Sequence, residues 1–327
     1  MSLATLWRPQ KLSEVIGQPF ITTILEHELE THTTKQAYLF IGPGGCGKSS
    51  TAQILSNELN GHIVSIDAAS NNTAEDMRKL LSSVSNKPIG KDKTVVVLEE
   101  IQALGKQALD VLLLTLEQPP SHLVFIMCTT EGDKIPVTIK SRCETFYVNP
   151  VDETIIAKRL EDICKAEKFP YEFDALVAIG KYAKGSVRMA ISYLEQISSD
   201  VTMGSVTKNI IRGTIDTYFN IIYAVIDKDV KVISGELNKV ENAEKFCQEL
   251  FIFILNVSVY FKTDDIELAK LPKVIKSELD VNFGDSEKES IDKLLKRMYD
   301  LQYKIKKSPT AREELLACLI LTIGEIS

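Results

Sequence analysis

Residues 42–49 read Gly42-Pro43-Gly44-Gly45-Cys46-Gly47-Lys48-Ser49, which fits G-x-x-x-x-G-K-[ST] in full. That pattern suits one chemistry. Glycines let the backbone curl so that successive N–H groups point at phosphate oxygens. An apolar run ending at Ile41 precedes the loop and a helix-like segment from Lys48 follows it. The start of that helix adds a partial positive charge to the same point. Lys48 is expected to reach the β- and γ-phosphates of ATP, and Ser49 to ligate Mg²⁺. Gly42, Pro43, Gly44, Gly45, Cys46, Gly47 and Ser50 complete the expected cradle. Such a site also needs an acidic pair at the end of another strand. Val95-Val96-Val97-Leu98-Glu99-Glu100 supplies one. Glu99 is expected to hold Mg²⁺ through water, and Glu100 to orient and polarise the attacking water. A chance glycine turn and an ordinary strand end with solvated acids are the bland alternatives.

These residues need a scaffold. Short apolar runs recur at Ala37–Ile41, Ile63–Ile66, Val95–Leu98, Leu123–Met127 and Phe146–Val148, with helix-like segments between them. Each run has the length of a buried parallel strand, which predicts an α/β sheet with helices on both faces. Ile21–Leu29 reads as a helix before it. After Pro150 the strand signal stops. Glu153–Ala166, Asp174–Tyr182 and Val187–Ile197 carry apolar residues at helical spacing, and Gly204–Gly213 reads as the last element of this small helical part. From Thr214 onward the pattern is helical, with breaks near Thr263–Asp265, Pro272, Phe283–Ser286 and Ser308–Pro309. Three domains are expected, at 1–150, 151–213 and 214–327, and 327 residues are too many for one ordinary core.

Composition narrows the class. Apolar residues make up 44% and charged residues 25%, as in an ordinary soluble protein. The net charge of −7 argues against coating nucleic acid by bulk positive charge, so any DNA contact must be local. The six cysteines, at positions 46, 128, 143, 164, 247 and 318, share no C-x-x-C spacing. No zinc is expected, and free thiols in the cytoplasm are the simple reading. The first residues lack a basic-then-apolar pattern, so no signal peptide is expected. The most apolar helical stretch, Phe246–Phe261, is broken by Gln248, Glu249, Asn256 and Ser258, so it reads as a buried helix and no membrane partner is expected.

The phosphate loop, Glu99-Glu100, Thr129-Thr130, Ser141-Arg142-Cys143 and Gly185-Ser186-Val187-Arg188 occur in the order found in clamp-loader ATPases. The chain resembles the gamma/tau subunits of the bacterial DNA polymerase III clamp loader. Trp7-Arg8-Pro9-Gln10, Val15-Ile16-Gly17-Gln18, Ile66-Asp67-Ala68-Ala69-Ser70, Ile135-Pro136-Val137-Thr138-Ile139 and Ser308-Pro309-Thr310-Ala311-Arg312 extend the resemblance over nearly the whole chain. The resemblance implies an AAA+ P-loop domain, then a helical lid, then an all-α collar. It implies that Trp7, Arg8, Pro9 and Ile16 line the adenine pocket. Thr130 falls at the sensor-1 position and Arg188 at sensor 2. Arg142 falls at the arginine finger, which reaches a neighbouring subunit's ATP; guanidinium geometry suits charge developing on a transferred phosphoryl group. Implied partners are a sliding clamp, primer–template DNA and other subunits, in a pentamer with several copies of this chain. By position, Lys106 and then Arg78, each in the first turns of a helix, are the expected contacts to the DNA backbone. Gln102, between Lys106 and Glu100, is a candidate relay.

Three departures stand out. The acidic pair is Glu99-Glu100 where the family usually has Asp-Glu, which places the first carboxylate one methylene farther out. Asn60-Gly61-His62 joins two elements between which bacterial relatives carry a four-cysteine zinc module. The sequence reads as ending after the third domain, so no tau-type extension is expected. The function expected is ATP-driven opening of a sliding clamp and its loading on primed DNA. Another DNA-dependent AAA+ motor, such as a branch-migration helicase, and an ATP-binding structural subunit with weak hydrolysis are the alternatives.

Overall fold

The computed structural model of the chain describes residues 2–325 except 241, 273, 274 and 307. The chain divides into two compact units, the first ending at Val206 and the second starting at Thr207.

The first unit begins with α1 (Leu3–Leu6) and α2 (Pro19–Glu30). Strands and helices then alternate: β1 (Ala37–Ile41), α3 (Lys48–Glu58), β2 (Gly61–Asp67), α4 (Ala74–Ser83), β3 (Lys93–Glu99), α5 (Lys106–Glu117), β4 (Leu123–Thr129), α6 (Val137–Lys140) and β5 (Glu144–Tyr147). The five strands are parallel in the order β2-β3-β4-β1-β5. Both faces are apolar because alternate residues of a strand point to opposite sides. Leu39, Val96, Leu98, Phe125 and Met127 pack with Met77, Leu80, Ala108 and Leu112 of α4 and α5 on one face. Tyr38, Phe40, Val95, Val97, Val124 and Ile126 pack with Ile21, Leu25, Ile54 and Leu55 of α2 and α3 on the other. The predicted strand over Phe146–Val148 starts two residues earlier, and Val148 lies just past it, donating its N–H to the Ile41 carbonyl at 2.7 Å.

Helix starts follow local chemistry. Thr73 and Asp76 form a reciprocal capping box at α4. Then come α7 (Glu153–Glu167), α8 (Phe173–Tyr182), α9 (Val187–Gln196) and the short α10 (Met203–Val206). Asp152 caps α7 and Ser186 caps α9 by accepting backbone N–H bonds. Ile156, Leu160, Ile163, Leu176, Ile179, Ala190 and Leu194 are all buried and give these helices their common core.

Every regular element among the described residues of the second unit is helical. A π-helical turn (Thr207–Ile211) leads to α11 (Arg212–Ile226), α12 (Val230–Asn238), α13 (Ala243–Thr263), α14 (Lys276–Asn282), α15 (Asp285–Lys304) and α16 (Ala311–Ile323). The junction expected between residues 213 and 214 falls inside α11, and the compact units divide earlier, at Val206. Cys247, Leu250, Ile254 and Val257 bury one face of α13, and Ser258 Oγ donates to Asp292 Oδ1 at 2.7 Å. Aromatic rings complete this core: Phe219 meets Phe253 edge-on at 5.4 Å, and Tyr223 stacks on Phe283 at 5.4 Å. No helix among the described residues is long and apolar enough to cross a membrane.

Candidate functional site

The loop of residues 42–47 joins β1 to α3, and Gly47, at φ 112°, opens the helix. Its start is fixed to the sheet: Gly42 N donates to the Thr129 carbonyl at 3.1 Å. A Cβ at Gly42 would lie 2.1 Å from the Val148 carbonyl, so only glycine fits there. The Lys48 side chain is buried, and its ammonium donates to the carbonyls of Gly42 and Pro43 at 2.7 and 2.8 Å. It is therefore folded back onto the carbonyls of its own loop. Burial pushes the Cys46 thiol up from its ordinary pKa. Its Sγ sits 3.3 Å from the Gly185 carbonyl, on the loop that leads into α9.

The acidic pair stands where β3 ends. Ser49 Oγ donates to Glu99 Oε2 at 2.9 Å, so the longer glutamate still reaches the hydroxyl at the head of α3. Glu100 adopts the left-handed conformation, φ 53° and ψ 46°, which a non-glycine residue holds at a cost of about 1–2 kcal/mol. Its carboxylate is gripped from two sides. Gln102 Nε2 donates to Oε2 at 2.5 Å and Thr130 Oγ1 donates to it at 3.2 Å. Gln102 Oε1 in turn accepts from Thr129 Oγ1 at 2.6 Å. The expected relay residue thus ties Glu100 to the end of β4.

A cavity of about 320 Å³ opens beside the loop. It is lined by eleven of the residues expected at a nucleotide: Trp7, Arg8, Pro9, Ile16, Gly45, Cys46, Gly47, Lys48, Ser49, Ser50 and Arg188. Gly42, Pro43, Gly44, Glu99, Glu100 and Thr130 lie outside its lining; Gly42 and Pro43 join it through Lys48, and Glu99 through Ser49. Arg8 Nε donates to Ser50 Oγ at 3.3 Å. Arg188 sits in the first turn of α9 with an exposed side chain, and its backbone N–H donates to the Gly45 carbonyl at 3.3 Å. Nine other residues that line it were not among those expected at a nucleotide, Arg159 and Val187 among them. Arg159 of α7 lies against Trp7, and Val187 begins α9. Gln18 was read only as part of a motif; it is buried and exchanges hydrogen bonds with the Asn149 backbone at 2.7 and 3.2 Å.

Three cations lie apart from this cavity. Arg142 pairs with Glu117 at 2.7 Å and donates to the Thr138 carbonyl at 2.8 Å. Lys106 and Arg78 are exposed, near the starts of α5 and α4. Those two starts are linked by a 3.0 Å bond from Gly105 N to the Asn72 carbonyl.

The donor chemistry fits ATP and Mg²⁺. Backbone N–H groups, Lys48, Arg8 and Arg188 suit a polyphosphate. Ser49 and Glu99 offer the hard oxygen donors that Mg²⁺ takes alongside phosphate oxygens and water. All six cysteines are free thiols, and no cluster of three or more metal-ligating side chains occurs among the described residues.

Residues 61–152 match the family model of the DNA polymerase III delta subunit, and residues 155–198 that of the ATPase lid domain of the DNA polymerase III clamp loader subunit. The DNA polymerase III subunit tau/gamma of Haemophilus influenzae is 34% identical over 74% of this chain and 39% of its own length. The DNA polymerase III subunit gamma of Buchnera aphidicola subsp. Baizongia pistaciae is 32% identical over 70% of each chain. The chain spans between 39% and 49% of the Haemophilus relative and its Mycoplasma genitalium counterpart. Among solved structures, the RuvB Holliday junction branch migration motor of Thermotoga maritima superposes with a TM-score of 0.54 at 21% identity, over 66% of this chain and 79% of that one. That likeness shows an AAA+ fold. Sequence identity, coverage and the matched lid together show that the chain belongs to the gamma/tau family of DNA polymerase III subunits.

Proposed function

We propose that this chain is the ATPase subunit of a DNA polymerase clamp loader, using ATP to open a sliding clamp and place it on primer–template DNA. The reading rests chiefly on one arrangement. Lys48 and Ser49 face a cavity, Ser49 touches Glu99, and Glu100 is aimed by Gln102 and Thr130. That is what hydrolysis of a terminal phosphoryl group requires: a cradle, a metal foothold and a positioned base.

In this reading the loop N–H groups and Lys48 bind the phosphates, and Ser49 and Glu99 position Mg²⁺, which supplies charge neutralisation when bound. Glu100 accepts a proton from the attacking water. Thr130 and Gln102 fix the rotamer from which it does so. Arg188 reaches the phosphates from the lid. Arg142 does not line its own chain's cavity, which supports a role as a finger into a neighbouring copy's site. Residues 1–150 form the nucleotide-binding domain, 151–213 the lid and 214–327 the collar that joins subunits into a pentamer. Lys106 and Arg78 touch the DNA backbone, and a cytoplasmic site of action fits both that partner and the free thiols.

The Ser49–Glu99 contact also bears on the reading as an ATP-binding subunit with weak hydrolysis. The carboxylate reaches the hydroxyl directly, so the extra methylene does not separate the pair. The test is steady-state ATP hydrolysis by this chain co-expressed with its partner subunit. Primed template and clamp together should stimulate turnover more than either alone. Stimulation by DNA that ignores the clamp would favour another motor, and bound ATP with no turnover a structural subunit.

A further inference from the structure

Trp7 is the single tryptophan of the chain. Its side chain is half-buried in the wall of the nucleotide cavity and is gripped by one helix at two points. Indole Nε1 donates to Glu167 Oε1 at 2.8 Å. Arg159 Nη2 donates to the Trp7 carbonyl at 3.3 Å, and the same guanidinium lies 5.4 Å from the indole centroid. Positions 159 and 167 are about 12 Å apart along α7, so Trp7 is held by side chains from two different turns of that helix.

The neighbouring contacts belong to other elements. Just before Trp7, the Leu3 N–H donates to Glu195 Oε1 of α9 at 2.9 Å. Just after it, Arg8 Nε reaches Ser50 Oγ on α3 at 3.3 Å, and Leu12 and Val15 enter the core beneath α2 and α3. The strap from Trp7 to Val15 therefore runs from the lid helices to the helix that follows the phosphate loop. It passes along the cavity on the way. Arg8, Lys48, Arg159 and Arg188 all line this cavity, against one carboxylate, Glu14. Among the described residues no carboxylate pairs with Arg159, so its charge is committed to Trp7 and to the cavity.

We propose that Arg159 is a positioning residue of the nucleotide site. With Glu167 it latches Trp7 to α7, and through Trp7 it sets the place of Arg8 and the base-side wall of the cavity. The inference rests on the cavity being the ATP site. The latch acts on binding and not on the chemical step, because neither Arg159 nor Trp7 contacts Glu99, Glu100 or Thr130. Removing a cation stacked on an indole together with its hydrogen bond is expected to weaken nucleotide binding about tenfold.

Trp7 itself reports the latch. The full chain is titrated with ATP and with a non-hydrolysable ATP analogue, in Mg²⁺, while tryptophan emission and bound nucleotide are followed separately. Wild type, Arg159→Ala, Arg159→Lys and Glu167→Gln are compared, and thermal unfolding checks each fold. Arg159→Ala should change the emission of the nucleotide-free protein, raise Kd and KM about tenfold, and leave kcat at saturating ATP within about twofold. Arg159→Lys keeps the charge but loses the planar fork, and should fall between. Because it keeps the packing of the stem, it decides the matter if the alanine variant fails to fold. Nucleotide affinity indifferent to Arg159 in folded variants would overturn the latch alone. A fall in kcat at unchanged KM would also overturn it. A wild-type chain that binds no ATP by either readout would overturn the nucleotide reading and the latch together.

Discussion

Gly45 offers a sharp test of how the phosphate loop meets the lid. It sits at φ 77°, and a Cβ there would lie 2.1 Å from Ser186 Oγ and 3.2 Å from Arg188 Cβ. Ser186 caps α9 by accepting the Met189 N–H at 3.3 Å, so its hydroxyl cannot turn aside without giving up that bond. Gly45→Ala therefore carries two costs. An L side chain in the left-handed region costs about 1–2 kcal/mol. Loss of the cap adds about 1 kcal/mol. The sum, about 2–3 kcal/mol, should lower the melting temperature of a unit of this size by about 5–10 °C. Nucleotide affinity should fall as well, since the same contact borders the cavity. The assay is a double-mutant cycle with Ser186→Ala, read by thermal unfolding. Ser186→Ala alone should cost about 1 kcal/mol. The double variant should be hardly less stable than Gly45→Ala, because the cap is lost already, giving a coupling of about 1 kcal/mol. Strict additivity, or a Gly45→Ala protein that melts with the wild type, would refute the reasoning.

Four further outcomes follow from named contacts. Glu100→Gln should bind ATP normally but hydrolyse it about 10²–10⁴ times more slowly, measured by single-turnover phosphate release; normal turnover would remove Glu100 from the role of base. Lys48→Ala and Arg142→Ala proteins, each inactive alone, should regain part of their ATPase activity when mixed into shared complexes, and no recovery in verified mixed complexes would place Arg142 outside the neighbour's site. Lys106→Ala should reduce the stimulation of hydrolysis by primed DNA while leaving basal hydrolysis intact, and undiminished stimulation would contradict a DNA contact there. Glu144→Gln should raise the melting temperature at pH 7.5 but not near pH 4. Burial, and then the Glu28 carboxylate beside it, hold the Glu144 carboxyl above its ordinary pKa, and its Oε2 is buried without a hydrogen-bond partner. A raised folded-state pKa means that the stabilisation from protonated Glu144 is complete below the ordinary carboxylate range and is lost as pH rises through the folded value. A gain of equal size at both pH values would contradict this.

The phosphate loop, the acidic pair and all five strands were legible because each is encoded locally. Glycine spacing writes the loop, and a run of buried apolar residues writes a parallel strand. Strand ends were less so: β2 and β3 extend to residues 61 and 93 because pairing with a neighbour continues past the apolar run, as in Gly61 with Lys93. The bounds of α11 were also less legible. Gly213 and Thr214 suggest a break, yet α11 runs from Arg212 to Ile226, and a single glycine costs a helix only about 1 kcal/mol. The grip on Trp7 was not legible at all. Arg159 and Glu167 lie on polar positions of α7, and helical periodicity marks its apolar face but not which polar residue meets a strap from residues 7–15. Gln102 was legible as a residue between Glu100 and Lys106. Its second set of bonds, to Thr129 and Thr130, depends on β3 and β4 lying side by side in the sheet.

The most direct measurement is clamp loading itself. A labelled sliding clamp from the same genome is mixed with circular primed DNA, this chain, its partner subunit and ATP, and the clamp retained on DNA is counted after gel filtration. The account predicts retention with ATP, none with ADP, and none when every copy carries Lys48→Ala. Equal retention without ATP or with the Lys48→Ala chain, or no retention by complexes that hydrolyse ATP in response to primed DNA, would contradict it.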